Sequence, residues 1–157
     1  MNRKNIKRIV IVMLTGIAVA VAIGTYLFFK PHRNVQETKA FAELKVADLV
    51  NEFTADANKA NAKYLTSDGN SKVLIIEGRV NKIAENQSGE KVIILKDDGA
   101  KVGVSATFSK TATANIQSVK TGDIIKIKGA ITAGNRYDAD LDLYEHATFV
   151  QCDLIKK

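Results

Sequence analysis

Residues 121–131 read Thr-Gly-Asp-Ile-Ile-Lys-Ile-Lys-Gly-Ala-Ile, and this stretch decides the fold class. Its first three residues have the composition of a turn, and a strand is predicted from Ile124 to Ile131. Apolar residues and glycine alternate with Lys126 and Lys128, which is the period of two expected of a strand with one buried face. The positions on the apolar side are Ile125, Ile127, Gly129 and Ile131.

The same β texture continues on both sides of this strand. Three earlier strands, separated by polar turns, are predicted at Val73–Ile83, Lys91–Lys96 and Lys101–Phe108. Residues 111–119 are predicted to form a short helix or turn, and a last strand, bent or bulged in its middle, is predicted at Leu141–Ile155. Five strands with a short helical segment between the third and the fourth follow the order of an OB-fold, which is a small closed barrel. We expect Gly78 and Gly129 to mark sharp coiling of their strands.

A helix is predicted before the strands, from Ala40 to about Tyr64, because apolar residues recur at helical spacing. Asn, Asp, Glu and Lys fill its other face, and a turn-forming cluster at residues 66–71 ends it. The fold class expected of residues 40–157 is therefore mainly β (α+β), a five-stranded OB-fold barrel with an N-terminal helix, forming a single domain.

Ile9–Phe29 is a run of 21 uncharged and mostly apolar residues. As a helix it would be about 31 Å long, which matches a hydrocarbon core of about 30 Å. The run predicts a single transmembrane helix. Lys30-Pro31 would end it, and residues 30–39 read as a polar tether to the domain.

A cleaved signal peptide is the alternative, since Ala18-Val19-Ala20 and Ala20-Val21-Ala22 both have the small residues of a cleavage site. The uncharged run continues past both sites, which favours an uncleaved signal-anchor. The basic residues before the span predict a cytoplasmic tail at residues 1–8, with the domain periplasmic or otherwise extracytoplasmic. The expected location is the cell (inner) membrane, with a single pass.

The net charge is confined to the first 33 residues. Of the 23 Lys and Arg residues six lie there, so the remaining 17 balance the 17 Asp and Glu residues, all of which lie beyond residue 36. The pI near 9.4 therefore reflects the membrane-targeting segment. A strongly basic binding face on the domain is not expected.

Two stretches resemble the tRNA anticodon-binding-like (tRNA_anti-like) OB-fold family: Ile76-Glu77-Gly78-Arg79-Val80 and Thr121–Gly129. The helical sequence Asn58–Tyr64 and a final hydrophobic strand with one Cys also fit, so the resemblance covers roughly residues 44–155. It implies an OB-fold in a bacterial protein that is anchored or exported. By fold analogy alone it suggests nucleic-acid binding, and a fold does not fix a function.

A binding face is the candidate site, formed by Arg79, Lys126 and Lys128. Single-stranded nucleic acid binds OB-folds through a positive groove and stacking aromatics, whereas this domain is neutral and contains no Trp. We therefore expect a protein, peptide or glycan partner. Single-stranded nucleic acid (tRNA or DNA) is the alternative.

Catalytic, metal and cofactor sites are not expected. Asp138, Asp140 and Asp142 lack the glycine and glutamate of a calcium loop, and in a strand they would line one solvated face. His146 is isolated from any nucleophile, and Cys152 falls in an apolar alternation that predicts burial. The expected function is that of a membrane-anchored binding module, not of an enzyme.

Overall fold

The computed structural model describes residues 13, 15–17, 19–25, 34–67, 70–109, 111–112 and 116–155. The chain divides into two compact units, residues 1–33 and 34–157. The described residues of the first unit are helical. Across the described residues, no helix combines the length and the apolarity needed to cross a membrane. The predicted tail 1–8 and both ends of the predicted span Ile9–Phe29 lie outside the described residues.

The described residues of the second unit form eight strands and two helices. The strands are β1 (Ala42–Lys45), β2 (Val73–Glu85), β3 (Lys91–Leu95), β4 (Val104–Phe108), β5 (Ile124–Ala133), β6 (Arg136–Asp138), β7 (Leu143–Glu145) and β8 (Ala147–Leu154). The helices are α1 (Val46–Ala55) and α2 (Ala57–Tyr64).

Five of the strands close into a barrel in the order β2-β3-β4-β8-β5, with β5 pairing back onto β2. The β4–β8 pairing is parallel and the other four are antiparallel. This is the strand order of an OB-fold, which confirms the predicted barrel. Strand β1 pairs in parallel with the first half of β2, on the edge that β3 uses further along.

The barrel interior is filled by alternate residues of each strand. On β5 Ile127 and Ile131 are completely buried while Lys126 and Lys128 are partly exposed, as the alternation predicted. The two strand glycines are explained by close approach to neighbours. A Cβ on Gly78 would lie 2.4 Å from Val46 Cγ2, and one on Gly129 would lie 2.6 Å from Cys152 Sγ.

The prediction of one continuous helix from Ala40 to Tyr64 is wrong at its start and in its middle. Ala42–Lys45 forms β1, because the first half of β2 offers it an open edge with backbone donors and acceptors. The helical part is divided at Asp56, whose side chain accepts a hydrogen bond from Lys59 N at 3.0 Å and so caps α2. Helix α1 buries Val46, Leu49 and Phe53, which fixes it to the barrel.

The prediction of a single bent strand from Leu141 to Ile155 is also wrong. The chain is divided at His146, where Gly103 N donates to His146 Nδ1 and Ala147 N donates to Gly103 O. Residues after His146 form β8 of the barrel, whereas Leu143–Glu145 pair with β6 in a separate two-stranded sheet. The sequence therefore holds an additional hairpin between β5 and β8.

Part of the predicted tether packs on the barrel. Val35 is 3% exposed, and the Gln36 side chain donates to Gln151 O at 2.7 Å and to Lys128 O at 3.3 Å. Strand β8 carries one extra residue here, since Lys128 pairs with Asp153 but Ala130 pairs with Val150. Gln151 has a φ of 52° at this bulge, which leaves its carbonyl available to Gln36. Residues 34–38 are thus part of the folded unit.

Candidate binding surface

The three residues predicted to form a binding face lie on adjacent strands. In the β2–β5 register Arg79 is opposite Ile124, Glu77 opposite Lys126, and Ile75 opposite Lys128. Alternation along both strands places Arg79, Lys126 and Lys128 on the outer face of the barrel.

All three cations have partners within the chain. Lys126 pairs with Glu43 and lies 3.5 Å from Glu77, and the hydrogen bond with Glu43 raises the pKa of the Lys126 ammonium. Lys128 Nζ donates to Gln36 O at 2.7 Å.

Arg79 Nη1 donates to Gly122 O at 3.0 Å, and its Nε lies 3.8 Å from Asp98 Oδ2. Together with the paired lysines this makes the outer face of β2 and β5 one of mixed charge. It is not a cationic groove of the kind that follows a phosphate backbone.

OB-folds bind ligands on the face of their second and third strands and with the loops that join strands one to two and four to five. Here these are β3 and β4, the turn at residues 86–90, and the β5–β8 connection. That connection contains β6 and β7, and we call residues 134–146 the 134–146 hairpin. It lies in the part of the fold that OB-folds use for binding.

A pair of tyrosines occupies one face of the 134–146 hairpin. Tyr137 and Tyr144 are cross-strand partners with ring centroids 4.6 Å apart, and they are 50% and 38% exposed. Lys101 lies with its Nζ 4.9 Å from the centre of the Tyr144 ring and donates to Tyr144 Oη at 3.2 Å. Tyr137 Oη donates to Asp142 Oδ1 at 2.7 Å, which raises the pKa of the Tyr137 phenol and keeps it protonated.

Exposed apolar side chains are concentrated on the same hairpin. Leu141 is 71% exposed and Leu143 is 50% exposed. In the described part of residues 34–155, seven large apolar or aromatic side chains are exposed and four of them belong to the hairpin. The other three are Phe41, Ile83 and Ile124. Such clustering marks interaction surfaces more than single exposed residues do.

The hairpin is also acidic. It contains one arginine, three aspartates and one glutamate, and Arg136 pairs with Glu145, with Nη2 to Oε1 at 3.0 Å. Asp138 Oδ1 accepts from the backbone N of Asp140 at 3.0 Å and of Leu141 at 3.2 Å, which forms the turn. Among the described residues, no ion pair involves the three aspartates.

The expectation that these aspartates would line one face of a strand is therefore wrong, since only Asp138 lies in a strand. The described residues contain no group of three His, Cys, Asp or Glu side chains placed to hold a metal ion. Cys152 is completely buried, as predicted, and burial raises the pKa of its thiol. Burial also lowers the pKa of His146, whose Nδ1 accepts from Gly103 N at 3.1 Å.

The sequence reasoning did not find the hairpin. Its signal was present: Tyr137 and Tyr144 lie symmetrically about an Asp-rich turn, with Asp138 and Leu143 as the next pair inward. The predicted last strand begins only at Leu141, because the apolar residues from there on continue into β8.

The sequence model of the tRNA_anti-like family matches residues 1–139. Among solved structures, a protein from Klebsiella pneumoniae described as a "putative nucleic acid-binding lipoprotein" is similar in fold, with a TM-score of 0.51 and 18% sequence identity. The similarity covers 73% of this chain and 91% of the Klebsiella chain. A comparison with curated proteins gave no match.

Proposed function

The chain belongs to the tRNA_anti-like family, and from this premise we propose that it is a membrane-anchored, extracytoplasmic OB-fold module that binds a protein, peptide or glycan partner. The observation that carries the proposal is the 134–146 hairpin. It exposes four large apolar or aromatic side chains in the connection that OB-folds use for ligands. The absence of a catalytic constellation from the sequence supports a binding role.

The membrane anchor is supported by the sequence. Ile9–Phe29 is long enough to span a bilayer as a helix and is flanked by basic residues on both sides. The basic residues before it favour a cytoplasmic N-terminus and an exported domain.

Single-stranded nucleic acid is the second candidate, and the description of the Klebsiella protein favours it. Two features of this chain speak against it. The exposed tyrosines, which are the side chains suited to stacking on bases, lie beside Asp142 and its neighbouring carboxylates, which repel phosphates. The lysines of the β2–β5 face are engaged by Glu43, Glu77 and the Gln36 carbonyl.

Site-specific photocrosslinking in native membranes tests the proposal. A photoreactive residue at Leu141 should crosslink a partner, whereas the same residue at Ile124, also exposed at 63% but on the β2–β5 face, should not. Mass spectrometry of the crosslinked protein should recover residues 9–29 from the membrane fraction. Equal crosslinking from the two positions, or no crosslinking from either, would show that the hairpin is not the binding surface. A mature chain beginning near Val21 would show that the segment is cleaved, and would contradict the membrane anchor.

A further inference from the structure

The 134–146 hairpin has unpaired strand edges. Strands β6 and β7 have three residues each and pair with one another, and among the described elements neither pairs with a third strand. Each barrel strand, by contrast, pairs with two neighbouring strands. Edge strands present backbone N–H and C=O groups to which an extended peptide can add as another strand.

The two strands are exposed to the same degree, but their side chains differ in their contacts. Lys101 contacts Tyr144 of β7 through both the ring and the hydroxyl group. The contacts of Arg136 and Tyr137 on β6 stay within the hairpin, with Glu145 and Asp142. Strand β6 is therefore the one whose side chains make no hydrogen bond or ring contact with described residues outside the hairpin, and we take its edge as the docking edge.

The side chains around this edge select a type of partner. Tyr137 and Leu141 offer exposed apolar area. Asp138, Asp140 and Asp142 give the turn a negative charge, and none of the three forms a salt bridge with a described cation. A peptide in which basic and apolar residues alternate would match both features, because a strand presents alternate residues to opposite sides. Its basic residues complement the aspartates and its apolar residues contact the exposed apolar side chains.

We propose that the 134–146 hairpin binds an extended segment of a partner protein that is rich in alternating basic and apolar residues, and that this segment adds as a strand along β6. The inference rests on the proposed function and narrows its partner to a protein with a cationic segment. Apolar side chains of the segment pack on Tyr137 and Leu141, and its lysines or arginines face the aspartates.

The test measures binding of defined peptides to the full chain in nanodiscs of zwitterionic lipid, by fluorescence anisotropy. The probe is a labelled synthetic peptide of about ten alternating lysine and valine residues. This length spans the three residues of β6 and extends beyond both of its ends. Comparison probes replace lysine with glutamate, or carry N-methyl groups on alternate backbone nitrogens. The lysine–valine peptide should bind, and either change should weaken binding at least about tenfold because it removes the charge match or the strand donors.

Matched variants locate the binding. D138N/D140N/D142N keeps the side-chain oxygens that accept the turn hydrogen bonds but removes three charges, and it should weaken lysine–valine binding about tenfold. D48N/D97N/D98N removes three exposed charges elsewhere on the domain and should leave binding unchanged. Y137T should weaken binding several-fold, and I124T should not. Thermal unfolding of D138N/D140N/D142N and of Y137T should match the parent, since the hairpin lies outside the barrel sheet.

Equal binding of the glutamate peptide, retained binding of the N-methylated peptide, or equal losses in the two triple variants would each overturn the inference. Crosslinking at Leu141 together with no lysine–valine binding would reject the cationic segment and leave the proposed function standing. If Leu141 gives no crosslink and the lysine–valine peptide does not bind, the inference and the proposed function are both rejected.

Discussion

Ile124 and Ile127 are three positions apart on β5, yet Ile124 is 63% exposed whereas Ile127 is completely buried. Ile127 lies in the core cluster that joins the barrel to α1 and α2. The difference follows from the alternation of the strand, combined with the position of Ile124 at its very start. The same residue type thus serves as core at one position and as surface at the other.

Ile127→Asp should unfold the domain, because an unpaired carboxylate in an apolar core costs more than about 3 kcal/mol. Ile124→Asp should change the free energy of unfolding by less than about 0.5 kcal/mol, since it is a surface substitution. Urea denaturation followed by circular dichroism measures both. Similar destabilisation by the two variants would show that the assigned facing of β5 is wrong.

At the scale of elements, Glu52 links α1 to α2 through hydrogen bonds. Its Oε2 accepts from Lys63 Nζ at 2.8 Å and from Tyr64 Oη at 2.8 Å, and Tyr64 is completely buried. The Lys63 hydrogen bond lowers the pKa of the Glu52 carboxyl. The ionised carboxylate is therefore favoured in the folded state.

A lowered pKa fixes the direction of the pH dependence. The contribution of Glu52 to the free energy of unfolding should be fully present at pH values above the unfolded-state pKa of about 4.3. It should be lost as the pH falls through the lower folded-state pKa. It should amount to less than about 1 kcal/mol, because the pair is partly exposed to solvent. Glu52→Gln should remove this part of the acid dependence in urea titrations between about pH 6 and 3. An unchanged acid profile for Glu52→Gln would contradict the assignment.

Sequence pattern predicted the barrel because each barrel strand alternates or is bounded by turn residues. It failed where a segment's structure depends on a distant partner. Ala42–Lys45 has helical composition but pairs with the open edge of β2. Leu143–Glu145 continues the apolar run of β8 but is separated from it by the contact of His146 with Gly103. Neither partner can be read from the local sequence.

The candidate face shows the same limit. The alternation of Lys126 and Lys128 predicted that they share an outer face, and the register confirms this. It did not reveal that Glu43 and Gln36, more than 80 residues away, engage them. The numbers of basic and acidic residues indicated that the domain is neutral. The strand pairing of the structure was needed to show which opposite charges lie beside each other.

At the scale of the whole molecule, the net positive charge lies in the sequence before the OB-fold domain. The net charge of +6 resides in residues 1–33, and residues 34–157 balance. No long-range positive field is therefore expected around the OB-fold domain to attract a polyanion. The fold and its family make nucleic-acid binding the alternative to exclude.

The most direct test of the central claim is the affinity of the full chain, in zwitterionic nanodiscs, for a single-stranded oligonucleotide and for the lysine–valine peptide at about 150 mM salt. The account predicts no oligonucleotide binding at micromolar protein, together with peptide binding that D138N/D140N/D142N weakens. Micromolar or tighter oligonucleotide binding that falls steeply with salt, and that K126E/K128E abolishes, would contradict it and assign the β2–β5 face to nucleic acid.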